Sequence, residues 1–151
     1  CKDKICHFGK VVDGEMVLNE GGLVAMECWL DIPKHFPSII LHEFIIMPNH
    51  IHGILEIKEC VGAKNLSPEN NTLFKSPTGT IGSVICGFKI GVTKWYNNKR
   101  AKDFSPLQDK KSIWQRNYYE HIIRNEQSHQ NISEYIIHNP INWENDDYYN
   151  N

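Results

Sequence analysis

The sequence lacks any long apolar run, and this absence argues against a helix that spans a membrane. Such a helix needs roughly 20 consecutive apolar residues, whereas the most apolar stretch, residues 39–55, is interrupted by several polar side chains: His42, Glu43, Asn49, His50 and His52. The residues ahead of Phe8 also lack the basic, apolar and small-residue order of a signal peptide. We therefore expect a soluble protein with no membrane partner.

Cysteine pairs are missing as well. The five cysteines are odd in number, and no two of them form a C-x-x-C pair. This argues against a disulfide framework and against a zinc ribbon, because both need paired cysteines. The pattern is typical of a reducing compartment and predicts a cytoplasmic protein.

The sequence also lacks an excess of basic residues. It contains 16 lysines and arginines and 18 acidic residues, for a formal net charge of -2. Nucleic-acid-binding proteins often carry a net positive charge, which attracts phosphates. The charges are unevenly distributed, however: basic residues concentrate between Lys89 and Arg124, and the chain after Arg124 has acidic residues but no lysine or arginine. On charge alone, a solvated helix face followed by a polar tail is the favoured interpretation.

Turn signals and hydrophobic periodicity predict an α+β fold in one domain. Asp13-Gly14 suits a type I′ turn and predicts a hairpin over residues 8–18, and Asn19 is a good N-cap for a helix that stops before Pro33. The other predicted elements are strands at Ser38–Met47 and Ile51–Ile57, a helix at Thr80–Asn97, a strand at Ile113–Ile123 and a helix at Gln127–Asn139. Residues 59–78 have the composition of a surface loop. This order favours a sandwich with a largely antiparallel central β-sheet packed with α-helices.

His50 and His52 stand where a predicted strand begins. Alternate strand residues project from one face, so the two imidazoles can converge on one ion while Ile51 points into the core. Several divalent metals accept imidazole, so the spacing names none of them. Two surface histidines at a turn are the alternative interpretation.

Tyr135 and Asn139 are four residues apart on a predicted helix and are therefore neighbours on one face. A tyrosine phenol, with a pKa near ~10, is a poor nucleophile until a cation or base stabilises its anion. A metal held nearby would supply that stabilisation. Without one, Tyr135 is a packing residue and Asn139, ahead of Pro140, is a helix C-terminal residue.

Three segments in order resemble one known family. Met47–Gly53 reads M-P-N-H-I-H-G and closely resembles the M-P-N-H-hydrophobic-H segment of the HUH transposases, especially their REP-associated tyrosine transposase branch. Trp114–Asn125 resembles the W-Q-R strand of that family, and Tyr135–Pro140 resembles its Y-I-x-x-N-P helix. The joint occurrence of the three is far more specific than any one of them.

The resemblance implies a ferredoxin-like or RRM-like fold and a transposase that cuts and rejoins single-stranded DNA with hairpin ends. His50, His52 and Asn139 would bind a divalent ion, Mg or Mn, and Tyr135 would form a covalent 5′-phosphotyrosine. Relatives of this kind act as monomers or as homodimers with the tyrosine in trans, and they work on the bacterial nucleoid. The implied DNA-binding residues are basic: Arg116, Lys89, Lys94, Arg100 and Arg124.

Residues 1–151 are thus expected to form a single HUH nuclease domain. The family usually has a strand ahead of the residues that match Phe8-Gly9, and this sequence has little room for it, so we expect the sheet to lack its N-terminal strand. A decayed gene copy would show the same loss and would keep the motif residues without activity.

Two other functions agree with the same residues. A non-catalytic, RRM-like nucleic-acid-binding module would bind no metal and would stack bases on its aromatic side chains. A metal-dependent hydrolase would activate water and form no covalent intermediate.

Overall fold

The computed structural model describes residues 1–58, 80–102 and 112–149, apart from the side chains of Arg100 and Lys102. The predicted surface loop at residues 59–78 lies outside the described residues. The elements, in chain order, are β1 (Gly9–Val12), β2 (Glu15–Leu18), α1 (Glu20–Leu30), α2 (Ile32–His35), β3 (Ile39–Ile46), β4 (Ile51–Ile57), α3 (Ile81–Lys102) and α4 (Glu126–His138). Short 3-10 turns occupy Lys2–Lys4 and Trp143–Asn145.

The first hairpin and the helix after it form as the local sequence predicts. Asp13 and Gly14 both adopt positive φ, 52° and 76°, the combination that a type I′ turn requires between β1 and β2. The side chain of Asn19 accepts a hydrogen bond from the Gly22 amide at 3.0 Å, so Asn19 is the N-cap of α1. Both predictions are confirmed.

β3 and β4 form an antiparallel hairpin, and each of its two faces packs against a different helix. A Cβ on Gly53 would meet the ring of Trp29 at 2.3 Å, so one face lies against α1. The neighbouring residue, His52, has its ring 5.2 Å from that of Tyr135 on α4, so the other face lies under α4. The hairpin is therefore the middle layer of a sandwich, with α1 and α3 on one side and α4 on the other.

The main core lies between the hairpin and helices α1 and α3. Trp29 packs between Phe44 and Phe88, with ring centroids 5.9 and 5.4 Å away. Phe8 and Val92 are fully buried in the same cluster. Burial of each large side chain of this kind contributes about 1.5–3 kcal/mol, which is enough to hold the hairpin rigidly in place.

The α+β class and the antiparallel pairing are confirmed, and the arrangement is consistent with a ferredoxin-like sandwich. In the described part of the chain the strands form two separate two-stranded sheets, β1 with β2 and β3 with β4. The four described cysteines, Cys1, Cys6, Cys28 and Cys86, are free thiols. None of the described helices is long and apolar enough to cross a bilayer.

The predicted strand at Ile113–Ile123 is wrong, because the segment is irregular. Trp114 donates its indole N–H to Lys89 O at 3.1 Å and to Thr93 Oγ1 at 3.0 Å, so it anchors the segment to α3. Asn117 then adopts a φ of 67°, which no strand allows. Ile113 and Trp114 thus pack into the core beside α3, whereas Tyr119 and Ile122 are exposed.

Candidate functional site

The two histidines of the M-P-N-H-I-H-G segment meet at the start of β4. Pro48-Asn49 turns the chain after β3, and the Met47 amide donates to the His50 carbonyl at 2.9 Å across that turn. The Nε2 atoms of His50 and His52 are 2.9 Å apart, and His50 is buried. The alternation of side chains along the strand thus brings both imidazoles to one place.

Asn49 determines which nitrogen of His50 carries the proton. It is fully buried, and its Nδ2 donates to the carbonyls of Lys4 and Tyr148 at 2.9 and 2.8 Å. Because both Nδ2 hydrogens are used, the atom 2.9 Å from His50 Nδ1 is the Oδ1 acceptor, and Nδ1 of His50 is the donor. The lone pair of His50 therefore sits on Nε2, which faces His52.

Both imidazoles are neutral at neutral pH. Burial, together with the nearby His52, lowers the pKa of His50 to about 3, and the carboxylate of Asp146 opposes both effects. Burial also lowers the pKa of His52, again against Asp146. Neutral imidazoles are the form that binds a metal ion.

Helix α4 brings Tyr135 and Asn139 to the histidines. The ring of Tyr135 lies 5.2 Å from that of His52, while 53% of the tyrosine remains exposed, so the phenol can be reached from solvent. Burial raises the pKa of Tyr135, the charge of Asp146 raises it further, and a hydrogen bond from Asn139 works in the opposite direction. The phenol is therefore protonated at neutral pH.

The side-chain carbonyl of Asn139 is an acceptor without a donor. Asn139 is 2% exposed, and its Oδ1 has no hydrogen-bond partner among the described residues. Its Nδ2 lies 3.4 Å from Asp146 Oδ2. An unsatisfied buried acceptor costs about 1–3 kcal/mol, which a cation bound to that oxygen would recover.

Asp146 is a site residue that the sequence does not reveal. Its carboxylate lies 4.0 Å from His50 Nε2, its side chain is 7% exposed, and ligand atoms of His50, His52 and Asp146 all lie within 4.8 Å of one another. Asp146 belongs to an acidic tail without helical or strand periodicity, so spacing gives no signal. The aromatic residues of the tail were the available clue, since Trp143 and Tyr148 pack on the His50 ring at 5.9 and 4.7 Å.

The donor set therefore fits a divalent ion. Two neutral imidazole nitrogens and the Asp146 carboxylate lie close together behind an aromatic cover, and the unpaired amide oxygen belongs to Asn139, which contacts that carboxylate. The imidazoles suit transition-metal ions, and the oxygen donors suit Mg and Mn. The structure thus brings together all four residues for which the sequence suggested chemistry: His50, His52, Tyr135 and Asn139.

The predicted DNA-binding residues are distributed differently. Lys89 and Lys94 line a groove of about 640 Å³ along α3, together with Asn117 and Tyr118. The ammonium of Lys89 donates to the Asn117 carbonyl at 2.9 Å, and burial lowers its pKa. Lys89 therefore helps to hold the irregular segment in place.

The two arginines whose side chains are described do not line this groove. Arg116 and Arg124 are exposed on the irregular segment between α3 and α4. The side chain of Arg100 lies outside the described residues. Tyr118 and Tyr119, which rival Tyr135 as nucleophiles in principle, are 42% and 89% exposed, and the ring against His52 is that of Tyr135.

Comparison with known proteins gives one informative match. No protein-family model and no solved structure matches the chain. An uncharacterized protein of Haemophilus influenzae is 46% identical over 153 residues, an alignment that covers 99% of this chain and 81% of that protein. Such identity over nearly the whole chain shows that this protein and the uncharacterized Haemophilus influenzae protein belong to one family.

Proposed function

We propose that this protein is a DNA transposase of the HUH single-tyrosine type, which nicks and rejoins single-stranded DNA with hairpin ends. The observation that carries the proposal is the position of Tyr135 against His52, beside a second neutral histidine. Asn139, the C-cap of α4, contacts Asp146, whose carboxylate is 4.0 Å from His50. Packing alone gives no reason for Asn139 to bury an unpaired carbonyl beside them.

The ion would be held by His50, His52 and Asn139 Oδ1, with Asp146 as a fourth ligand. Mg or Mn bound there would withdraw charge from a non-bridging phosphate oxygen and orient the phosphate. Asn49 supports this role because it keeps the His50 lone pair directed at the site. Trp143 and Tyr148 exclude water from the buried side of the ring.

Tyr135 is the proposed nucleophile. Its Oη would form a bond to the scissile phosphorus as the bond from phosphorus to the 3′ oxygen breaks, so that the DNA 5′ end becomes attached to the tyrosine. The phenol loses its proton and the departing 3′ oxygen gains one, so the step needs neither oxidant nor ATP. A 3′-hydroxyl from another strand reverses the same attack and joins the DNA.

The groove along α3 is the proposed path of the single strand. Lys89 and Lys94 supply positive charge along one wall, and Tyr118 supplies a ring on which a base can stack for about 1–3 kcal/mol. Arg100, Arg116 and Arg124 would contact phosphates beyond it. The short contact between Tyr135 and His52 lies within one chain and supports attack in cis by a monomer.

The experiment is to incubate the protein with end-labelled hairpin oligonucleotides and Mn or Mg, and to analyse the products by denaturing gel and mass spectrometry. We expect a covalent adduct on Tyr135 that disappears with a chelator and with Tyr135→Phe. Tyr119→Phe is the matched control and should leave the adduct unchanged. Strand cleavage without an adduct would point to the hydrolase, and metal-independent binding without cleavage to the RRM-like module.

A mixing experiment tests attack in cis. Tyr135→Phe and His50→Ala chains are each expected to be inactive, and their mixture should stay inactive if one chain supplies both residues. Recovery of cleavage in the mixture would instead show that a homodimer exchanges its tyrosines.

A further inference from the structure

A second group of metal-binding side chains lies under the N-terminal half of α4. It consists of His42 and Glu43 on β3 and His129 on α4, and ligand atoms of the three lie within 4.8 Å of one another. The rings of His42 and His129 are 5.2 Å apart, edge to face. His129 precedes Tyr135 by six residues, or about 9 Å along the helix axis, so this group is separate from the site at His50.

A β-bulge explains how two successive residues of one strand reach the same place. In a regular strand His42 and Glu43 would point to opposite faces. Here Leu41 pairs with Leu55 and Phe44 pairs with Gly53, so two residues of β3 stand opposite the single residue Ile54. Bulges redirect side chains in this way, and this one turns both polar groups toward α4.

Neighbouring side chains hold two of the three ligands in position. His42 Nε2 lies 2.8 Å from Glu56 Oε2, and Ser133 Oγ donates to Glu43 Oε2 at 3.1 Å. Ser133 follows His129 by one helical turn and is therefore on the same face of α4. Carboxylates and hydroxyls that orient ligands in this way are characteristic of metal sites.

We propose that His42, Glu43 and His129 bind a zinc-type transition-metal ion that ties α4 to β3. Two imidazoles and one carboxylate are a ligand set that zinc uses, with the fourth position left to water. Imidazole nitrogen suits zinc and other transition-metal ions better than Mg, so Zn²⁺ and Co²⁺ are suitable probes of this site. All three ligands are half-buried, so an ion can enter from solvent.

The test uses Zn²⁺ and Co²⁺ as probes on the His50→Ala/His52→Ala protein, in which the first site is removed. We expect one zinc ion per chain by competition with a chromophoric chelator, visible Co²⁺ absorption, and a higher melting temperature with zinc. Adding His129→Ala should weaken zinc binding at least tenfold and remove all three signals. Adding His138→Ala, which replaces an exposed histidine of α4 outside this group, should change none of them.

Glu43→Gln provides a second variant with nearly unchanged shape, and it should also weaken zinc binding. In the protein with all its histidines, His129→Ala should lower the zinc stoichiometry by one ion. Zinc binding that is insensitive to both His129→Ala and Glu43→Gln would overturn the proposal, as would no binding by the His50→Ala/His52→Ala protein. Neither result bears on DNA cleavage by Tyr135.

Discussion

Replacement of Asn139 by alanine should remove most of the stability that the protein gains from a divalent ion, while leaving its metal-free stability nearly unchanged. Without metal, the substitution eliminates a buried carbonyl oxygen that has no donor, which relieves about 1–3 kcal/mol. It also removes the 3.4 Å contact with Asp146, the bond to Tyr135 and some packing. These losses are of similar size, so we expect a net change within about 1 kcal/mol.

With metal the two proteins should differ clearly. At 100 times its dissociation constant, an ion stabilises the folded state by about 2.7 kcal/mol. For a chain of this size that raises the melting temperature by roughly 5–11 °C. Loss of a direct ligand should weaken metal binding by about 100-fold or more, since even the loss of an outer-shell partner weakens it by about 10–100-fold. At the same ion concentration, the melting temperature of Asn139→Ala should then rise by only about 1–2 °C.

The assay is thermal unfolding followed by circular dichroism, with and without Mn. Asn142→Ala is the matched control, because Asn142 is an exposed asparagine whose side chain donates to the His138 carbonyl at 3.2 Å. It should keep the full metal-dependent rise. An equal rise for Asn139→Ala and the unsubstituted protein would refute the assignment of Asn139 as a ligand.

Three further predictions concern the same region. Asn49→Ala should destabilise the protein by about 2–4 kcal/mol in urea unfolding, since three hydrogen bonds of a fully buried side chain are lost. It should also weaken Mn binding at least tenfold, and unchanged Mn affinity would contradict its role in orienting His50. Gly53→Ala should cost about 1–3 kcal/mol of folding stability because its Cβ would meet the Trp29 ring at 2.3 Å. At Gly82 a Cβ would have its nearest described side-chain neighbour, Tyr118, at 3.5 Å, so Gly82→Ala should stabilise α3 by about 0.5–1 kcal/mol. Asp146→Asn should weaken Mn binding by about tenfold or more in a calorimetric titration, and an unaltered affinity would remove Asp146 from the ligand set.

Local chemistry made several elements predictable. The type I′ turn at Asp13-Gly14 and the cap at Asn19 depend only on nearby residues, so the sequence predicts them correctly. The pairing of His50 with His52 and of Tyr135 with Asn139 follows from strand and helix periods in the same way.

Features that depend on distant contacts were missed. Ile113–Ile123 has the composition of a strand, yet Trp114 finds its hydrogen-bond partners on α3, which no local pattern encodes. Asp146 reaches the histidines only because the tail folds back, with the Tyr148 carbonyl bonded to buried Asn49. The bulge at His42 and Glu43 was likewise hidden, since it depends on the register against β4.

That bulge has an evolutionary consequence. One extra residue in β3 adds a polar position on one face and leaves the alternation of Leu41 and Phe44 on the core face intact. A lineage could therefore lose His42 or Glu43 by a single codon deletion and keep its core. In an alignment of relatives, a one-residue gap between Leu41 and Phe44 should mark the proteins that have lost one of these two ligands, and such proteins should have no reason to retain His129.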